Sequence, residues 1–229
     1  TIGAAFIPTL FFISFFPDSD AAKGLANEPW EKFFLMGWQI LCVFLLPMYI
    51  ILVSTLITQI EYRNNTWKQV FASPQSLGNI FFSKFLTIHI MIVFCFLLFN
   101  GFMILAAVIG TLINPKLPFL DHPIDLELLF RLNVKTYVSI LGISAIQYWL
   151  SLRFKNFLAP VGIGLALVIG GIVALNVQWA HITKYPYSFP TLTLDAIRKP
   201  GSPFWENHEL NSIDFFLFFI LLGFIDMKT

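Results

Sequence analysis

Residues 33–60 and 85–113 contain not one Asp, Glu, Lys or Arg. A hydrocarbon core about 30 Å thick is crossed by about 20 helical residues. Both stretches exceed that length, so they are expected to tilt or to protrude from a bilayer. Composition agrees: 57% of the chain is hydrophobic and 12% charged, with 27 Phe, where a soluble domain carries roughly a quarter charged residues. The expectation is an all-α integral membrane protein forming one transmembrane domain over residues 1–229. Its net charge of +1 and lack of a basic stripe exclude nucleic acid as a partner.

Six apolar runs are legible, at residues 1–16, 33–60, 85–113, 135–152, 157–176 and 212–225. Pro47 is expected to kink the second, because proline removes a donor and collides with the preceding turn. The chain opens at Thr1 inside an apolar run, and the expectation is that the natural N-terminus lies upstream and the first span is cut short. Basic residues set the orientation. One face receives Arg63, Lys68, Lys84, Arg153, Lys155 and Lys228 against Glu61 and Asp226 alone. That face is read as cytoplasmic, which places the polar segment 61–84 inside the cell and the loops 17–32, 114–134 and 177–211 outside. The third loop interleaves proline with aromatics (YPYSFP at 185–190, KPGSPFW at 199–205) and should lie ordered on the outer surface, either as an interfacial lid or as a substrate gate.

The spans are nearly free of charge. Their polar residues are Gln39, His89, Asn100, Gln147 and Asn176, and no carboxylate suited to ion coupling is evident. Cys42 and Cys95 sit in apolar runs and read as packing residues. His122, His181 and His208 lack metal-ligand spacing, and no phosphate-binding loop, nucleophile elbow or H-E-x-x-H is present. No catalytic residue, metal ligand or cofactor is assigned. Gly162, Ala166, Gly170 and Ala174 recur every fourth residue and form a stripe where another backbone can approach, within the bundle or between subunits.

Within 61–84, Trp67, Val70 and Phe71 fall on one helical face, Asn64, Asn65 or Thr66 can cap its start, and Ser73-Pro74 ends it. A short amphipathic helix lying flat at the membrane surface is expected. Glu61, Arg63, Thr66, Trp67, Lys68, Pro74, Ser83 and Lys84 resemble the pattern between the second and third spans of type-2 ATP-binding-cassette (ABC) transporter permeases, most closely the lantibiotic-immunity and bacitracin-resistance branch. The resemblance implies six transmembrane helices with a short cytoplasmic coupling helix between the second and third, in a bacterial cytoplasmic membrane. It implies a permease subunit without catalysis of its own, exporting an antimicrobial peptide or lipid-like molecule. Its partners would be a dimer of cytoplasmic ATPase subunits, a second permease copy or sister permease, and membrane lipid. Glu61, Arg63, Thr66, Trp67, Lys68, Phe71 and Pro74 would then couple to the ATPase. Such permeases also begin with an amphipathic helix that this chain does not display. Physical logic points the same way, since a subunit without nucleotide chemistry or intramembrane ion sites must take its energy from outside. Two other readings stay open: a permease that transmits mechanical strokes to a periplasmic or surface machine, and a membrane-embedded lipid-modifying enzyme.

Overall fold

The computed structural model describes residues 28–63, 76–115, 117–199 and 201–227, and gives the backbone alone for 61–63. The run at 1–16 lies outside them. Among the described residues all regular structure is helical. Five stretches are long and apolar enough to cross a membrane: Pro29–Ile60, Leu77–Ile113, Leu126–Arg153, Leu158–Asn176 and Asn207–Asp226. Large apolar side chains such as Leu97 and Leu112 stay exposed on these helices, as a bundle surrounded by hydrocarbon allows.

The first stretch consists of α1 (Pro29–Ile40), a π turn (Leu41–Leu45) and α2 (Leu46–Arg63). The turn is the consequence of Pro47. The proline ring crowds the carbonyl of Val43 four residues back, and the chain widens there, so that the amide of Leu46 reaches five residues back to the carbonyl of Leu41. The third apolar run becomes α3 (Leu77–Ile113), which starts at Leu77 rather than near residue 85. Ser76 caps it, its hydroxyl accepting from the amide of Asn79 at 3.2 Å. Ile80, Phe81 and Lys84 are already buried in its first turns, so residues 77–84 belong to a spanning helix.

The fourth run also begins earlier. The carboxylate of Asp125 caps the amide of Leu128 at 3.0 Å and opens α4 (Leu126–Ser139). Ile140 (φ −90°, ψ −7°) interrupts the helix before α5 (Leu141–Arg153). Ser212 covers the interruption: its hydroxyl donates to the carbonyl of Ser139 and accepts from the amide of Gly142, each at 2.9 Å. α6 (Leu158–Asn176) follows, then two 3-10 turns (Ile182–Lys184 and Pro186–Ser188), α7 (Phe189–Ile197) and α8 (Asn207–Asp226). A capping box between Glu206 and Glu209 starts α8.

The YPYSFP segment does not lie on the surface. Tyr187, Phe189, Pro190 and Leu194 are buried in the bundle. Burial is possible because Pro186 and Pro190 sit in the first turns of helical pieces, where no amide is missed. Ser188 donates to the carbonyls of Ile182 and Tyr185 at 3.0 and 2.7 Å, covering what those short turns leave open. Burial pushes the phenols of Tyr185 and Tyr187 above the usual tyrosine range, so both remain donors, Tyr185 to the carbonyl of Leu167 at 2.8 Å and Tyr187 to the side chain of Gln147 at 3.2 Å.

The polar residues inside the spans are paired. His89 meets the hydroxyl of Tyr137 at 2.9 Å, the Asn100 amide donates to Asn133 at 2.9 Å, and Gln147 donates to the carbonyl of Pro160 at 2.8 Å. Gln39 accepts from Arg198 at 2.8 Å. Asn176 donates to the carbonyl of Ile172. Cys42 and Cys95 are free and buried. The reading of spans without charge needs correction, because Lys135 on α4 and Glu209 on α8 are buried together with 3.5 Å between Nζ and Oε1. Neither position stood inside an apolar run in the sequence: Lys135 marked an edge and Glu209 fell in a loop.

Gly162 and Ala166 face outward, and a Cβ on Gly162 would meet nothing within 4 Å. Gly170 lies beside Tyr185, and Ala174 is half-buried. On α6 the closest approach falls at Gly164, where a Cβ would come within 2.8 Å of Gln147 and 2.9 Å of Ile51. Replacing Gly164 with Val should therefore destabilise the bundle by about 1–3 kcal/mol, while Gly162→Ala should leave it unchanged. Thermal unfolding in detergent, followed by size-exclusion chromatography, measures both.

Candidate functional site

The described helices run alternately between two ends, and the end bearing Arg63, Arg153 and Lys155 is where all five spanning stretches are tied together. The polar residues of α2 that do this, Thr55, Thr58 and Gln59, share its buried side. The hydroxyl of Thr55 donates to the carbonyl of Ile51 at 2.7 Å and lies 3.2 Å from that of Ser151. Thr58 bonds back to the carbonyls of Ser54 and Thr55. The side-chain amide of Gln59 donates to the carbonyl of Phe154 at 2.7 Å and to that of Ser151 at 3.4 Å. The last carbonyls of a helix have no partner within it, so Gln59 of α2 acts as the cap of α5.

The remaining helices join the same end. Asp226, in the last turn of α8, accepts from the indole of Trp149 at 2.8 Å and lies 3.8 Å from the guanidinium of Arg153. Arg153 is well exposed, so its ion pair is weak and the indole bond is the stronger tie. The hydroxyl of Tyr148 donates to the carbonyl of Phe81 at 2.8 Å, which fixes the start of α3 to α5. Asn156 accepts from the amide of Leu158 at 2.9 Å and begins α6 within a very short turn. A cleft of about 700 Å³ opens beside that turn, lined by Leu56, Ile57, Gln59 and Ile60 of α2 and by Lys155, Asn156 and Phe157.

Of the residues singled out in the sequence, Glu61 and Arg63 occupy the last turn of α2, directly after Gln59. Thr66, Trp67, Lys68, Phe71 and Pro74 lie outside the described residues. The residues that sequence reasoning missed are Gln59, Trp149 and Asp226. The one available signal was Asp226, a carboxylate closing an apolar run on the same face as Arg153. Among the described residues no group of three or more His, Cys, Asp and Glu could hold a metal ion. These hydrogen bonds connect the tip of α2 to the end of α5 through Gln59, and α5 in turn to α3 and α8.

Compared with known protein families, residues 1–171 match the model described as ABC-2 family transporter protein. Searches of curated proteins and of solved structures found no match. Gln59→Leu should remove the cap on α5 at a cost of about 1 kcal/mol, which is roughly a fivefold rise in local opening. Hydrogen–deuterium exchange should show that rise at residues 154–158 and leave the centre of α5 unchanged.

Proposed function

The chain belongs to the ABC-2 family of transporter proteins, and from that premise we propose that it is the permease of an ATP-driven exporter whose coupling segment is residues 61–73. Membership makes it the membrane permease of an ABC system and implies association with an ABC ATPase subunit. In this reading the basic end faces the cytoplasm of a bacterium. Two ATPase subunits engage Glu61, Arg63, Trp67, Lys68 and Phe71, with Thr66 and Pro74 setting the ends of the helix. A second permease, identical or sister, completes the complex, and the small-residue stripe on α6 is available to it or to lipid. An amphipathic peptide or lipid-like molecule, as in the lantibiotic-immunity branch, is the expected cargo.

The observation that carries the proposal is the placement of Gln59. The coupling segment leaves α2 within one turn of a side chain that holds the end of α5. Closure of an ATPase dimer on that segment would push the α2 tip, and the push would reach the bundle through hydrogen bonds instead of dissipating in a loose loop. A packed bundle answers such a push by switching between discrete arrangements.

Co-purification of the full chain with its ATPase, followed by transport assays in proteoliposomes, tests this. Trp67→Ala and Glu61→Ala should each lower ATP-dependent export by about tenfold or more, as expected when an interface anchor is lost, without loss of the folded bundle. Undiminished coupled export in the double variant would overturn the assignment. ATP turnover that depends on Trp67 but moves no amphipathic cargo would favour the mechanical reading.

A further inference from the structure

We propose that the buried Lys135–Glu209 pair is the latch of a gate at the end of the bundle opposite the coupling segment, with α4 as the moving leaf and the break at Ile140 as its hinge. The inference deepens the exporter reading, but the latch can be observed without an ATPase.

The pair gathers four elements at one point. Side-chain exposure is 3% for Lys135 and 0% for Glu209. Nζ of Lys135 also donates to the carbonyl of Pro203 at 3.3 Å and lies 5.9 Å from the centre of the Phe204 ring. Oε2 of Glu209 accepts from the amide of Glu206 at 2.9 Å. The neighbouring His208 is 3.0 Å from the hydroxyl of Thr193 on α7 and 4.0 Å from Oε1 of Glu209. Through these contacts α4, α7, the turn before α8 and α8 itself are closed against one another.

Holding helices together does not require such a pair. Two buried charges lose their hydration, and the loss is offset only where geometry is good and every remaining acceptor is filled; apolar side chains of similar volume commonly do as well. Here the separation is long for a charge-assisted bond, and Oε1 of Glu209 has only loose contacts, with Lys135 at 3.5 Å and His208 at 4.0 Å. Such a contact holds while dry and loosens once water reaches it, which is the behaviour of a two-state closure.

The hinge is formed on the same helix. Ser212 lies one turn beyond Glu209 on α8 and supplies the hydrogen bonds that the break at Ile140 leaves open. A Cβ on Gly142 would lie 3.3 Å from the carbonyl oxygen of Ser212, so α5 and α8 are in close contact at the fulcrum. Beyond it α5 stays joined to α8 down to the Trp149–Asp226 bond. Rotation of α4 about Ile140 would part Lys135 from Glu209 while α5 keeps its place, and it would also release or carry along the Asn133–Asn100 and Tyr137–His89 contacts that join α4 to α3.

The test places a reporter cysteine at Thr136, which is fully buried beside Lys135, in full-length protein carrying Cys42→Ala and Cys95→Ala. Reconstituted in liposomes, it is exposed to a membrane-impermeant maleimide from the side of the gate. Labelling should be slow in this parent, and about tenfold faster or more in Glu209→Gln, which keeps the acceptor for Glu206, and in Lys135→Met. The two changes combined should label no faster than the faster single variant, because each breaks the same contact. Rates equal to the parent in both single variants, or a combined rate equal to the product of the two effects, would overturn the latch. A parent-like melting profile in either single variant is enough for the comparison. With the ATPase and ATP added, acceleration in the parent supports both readings. Acceleration by Glu209→Gln with none by ATP leaves the latch standing and removes the ATP-driven one.

Discussion

Inside a bilayer, a backbone amide or carbonyl released from a helix finds no water to replace its partner. Among the described residues, four such interruptions are covered by a side chain or by a change of helical pitch. Pro47 is absorbed by the π turn at Leu41–Leu45. The break at Ile140 is bridged by Ser212, the short turns before α7 by Ser188, and the end of α5 by Gln59. These small polar residues decide where the helices can stop, and the packing of the large aromatics follows from where they stop.

The polar contacts also gather at two ends of the bundle. At the basic end, α2, α3, α5, α6 and α8 are bound by hydrogen bonds to main-chain carbonyls and to Asp226. At the other end, α4, α7 and α8 meet at a buried ion pair. Between them α5 and α8 run together. Under the proposals above, the first end would receive a partner's movement and the second would close the bundle, with the packed helices α5 and α8 between them.

Much of this architecture was legible in the sequence. The uncharged runs at 33–60 and 85–113 declare spanning helices, and the alternation of polar ends follows from them. The run at 135–152 was visible only in part, because Glu127, Arg131 and Lys135 disguise the start of α4; the first two face one another on an exposed surface, 2.7 Å apart. The start of α3 was hidden likewise, since Asn79, Ser83 and Lys84 look like loop residues until Ser76 is recognised as a cap. At the candidate site Glu61 and Arg63 were singled out by their resemblance to a family pattern, and the structure places both in the last turn of α2. Gln59 was not, because a glutamine at the end of an apolar run carries no sign of the helix it will cap.

By itself the sequence determined the solvent of this protein, its helical class and the number of long apolar crossings among the described residues, because these depend on hydrophobicity and periodicity along one chain. It also determined where proline would disturb a helix. The tertiary structure decided how each disturbance is resolved, which small residue admits a close neighbour (Gly164 rather than Gly162), and that YPYSFP is buried. It alone brought Lys135 to Glu209. Such pairings depend on residues far apart in the chain meeting across a helix interface, and on burial that converts an ordinary charge at a run's edge into one that must find its counterpart.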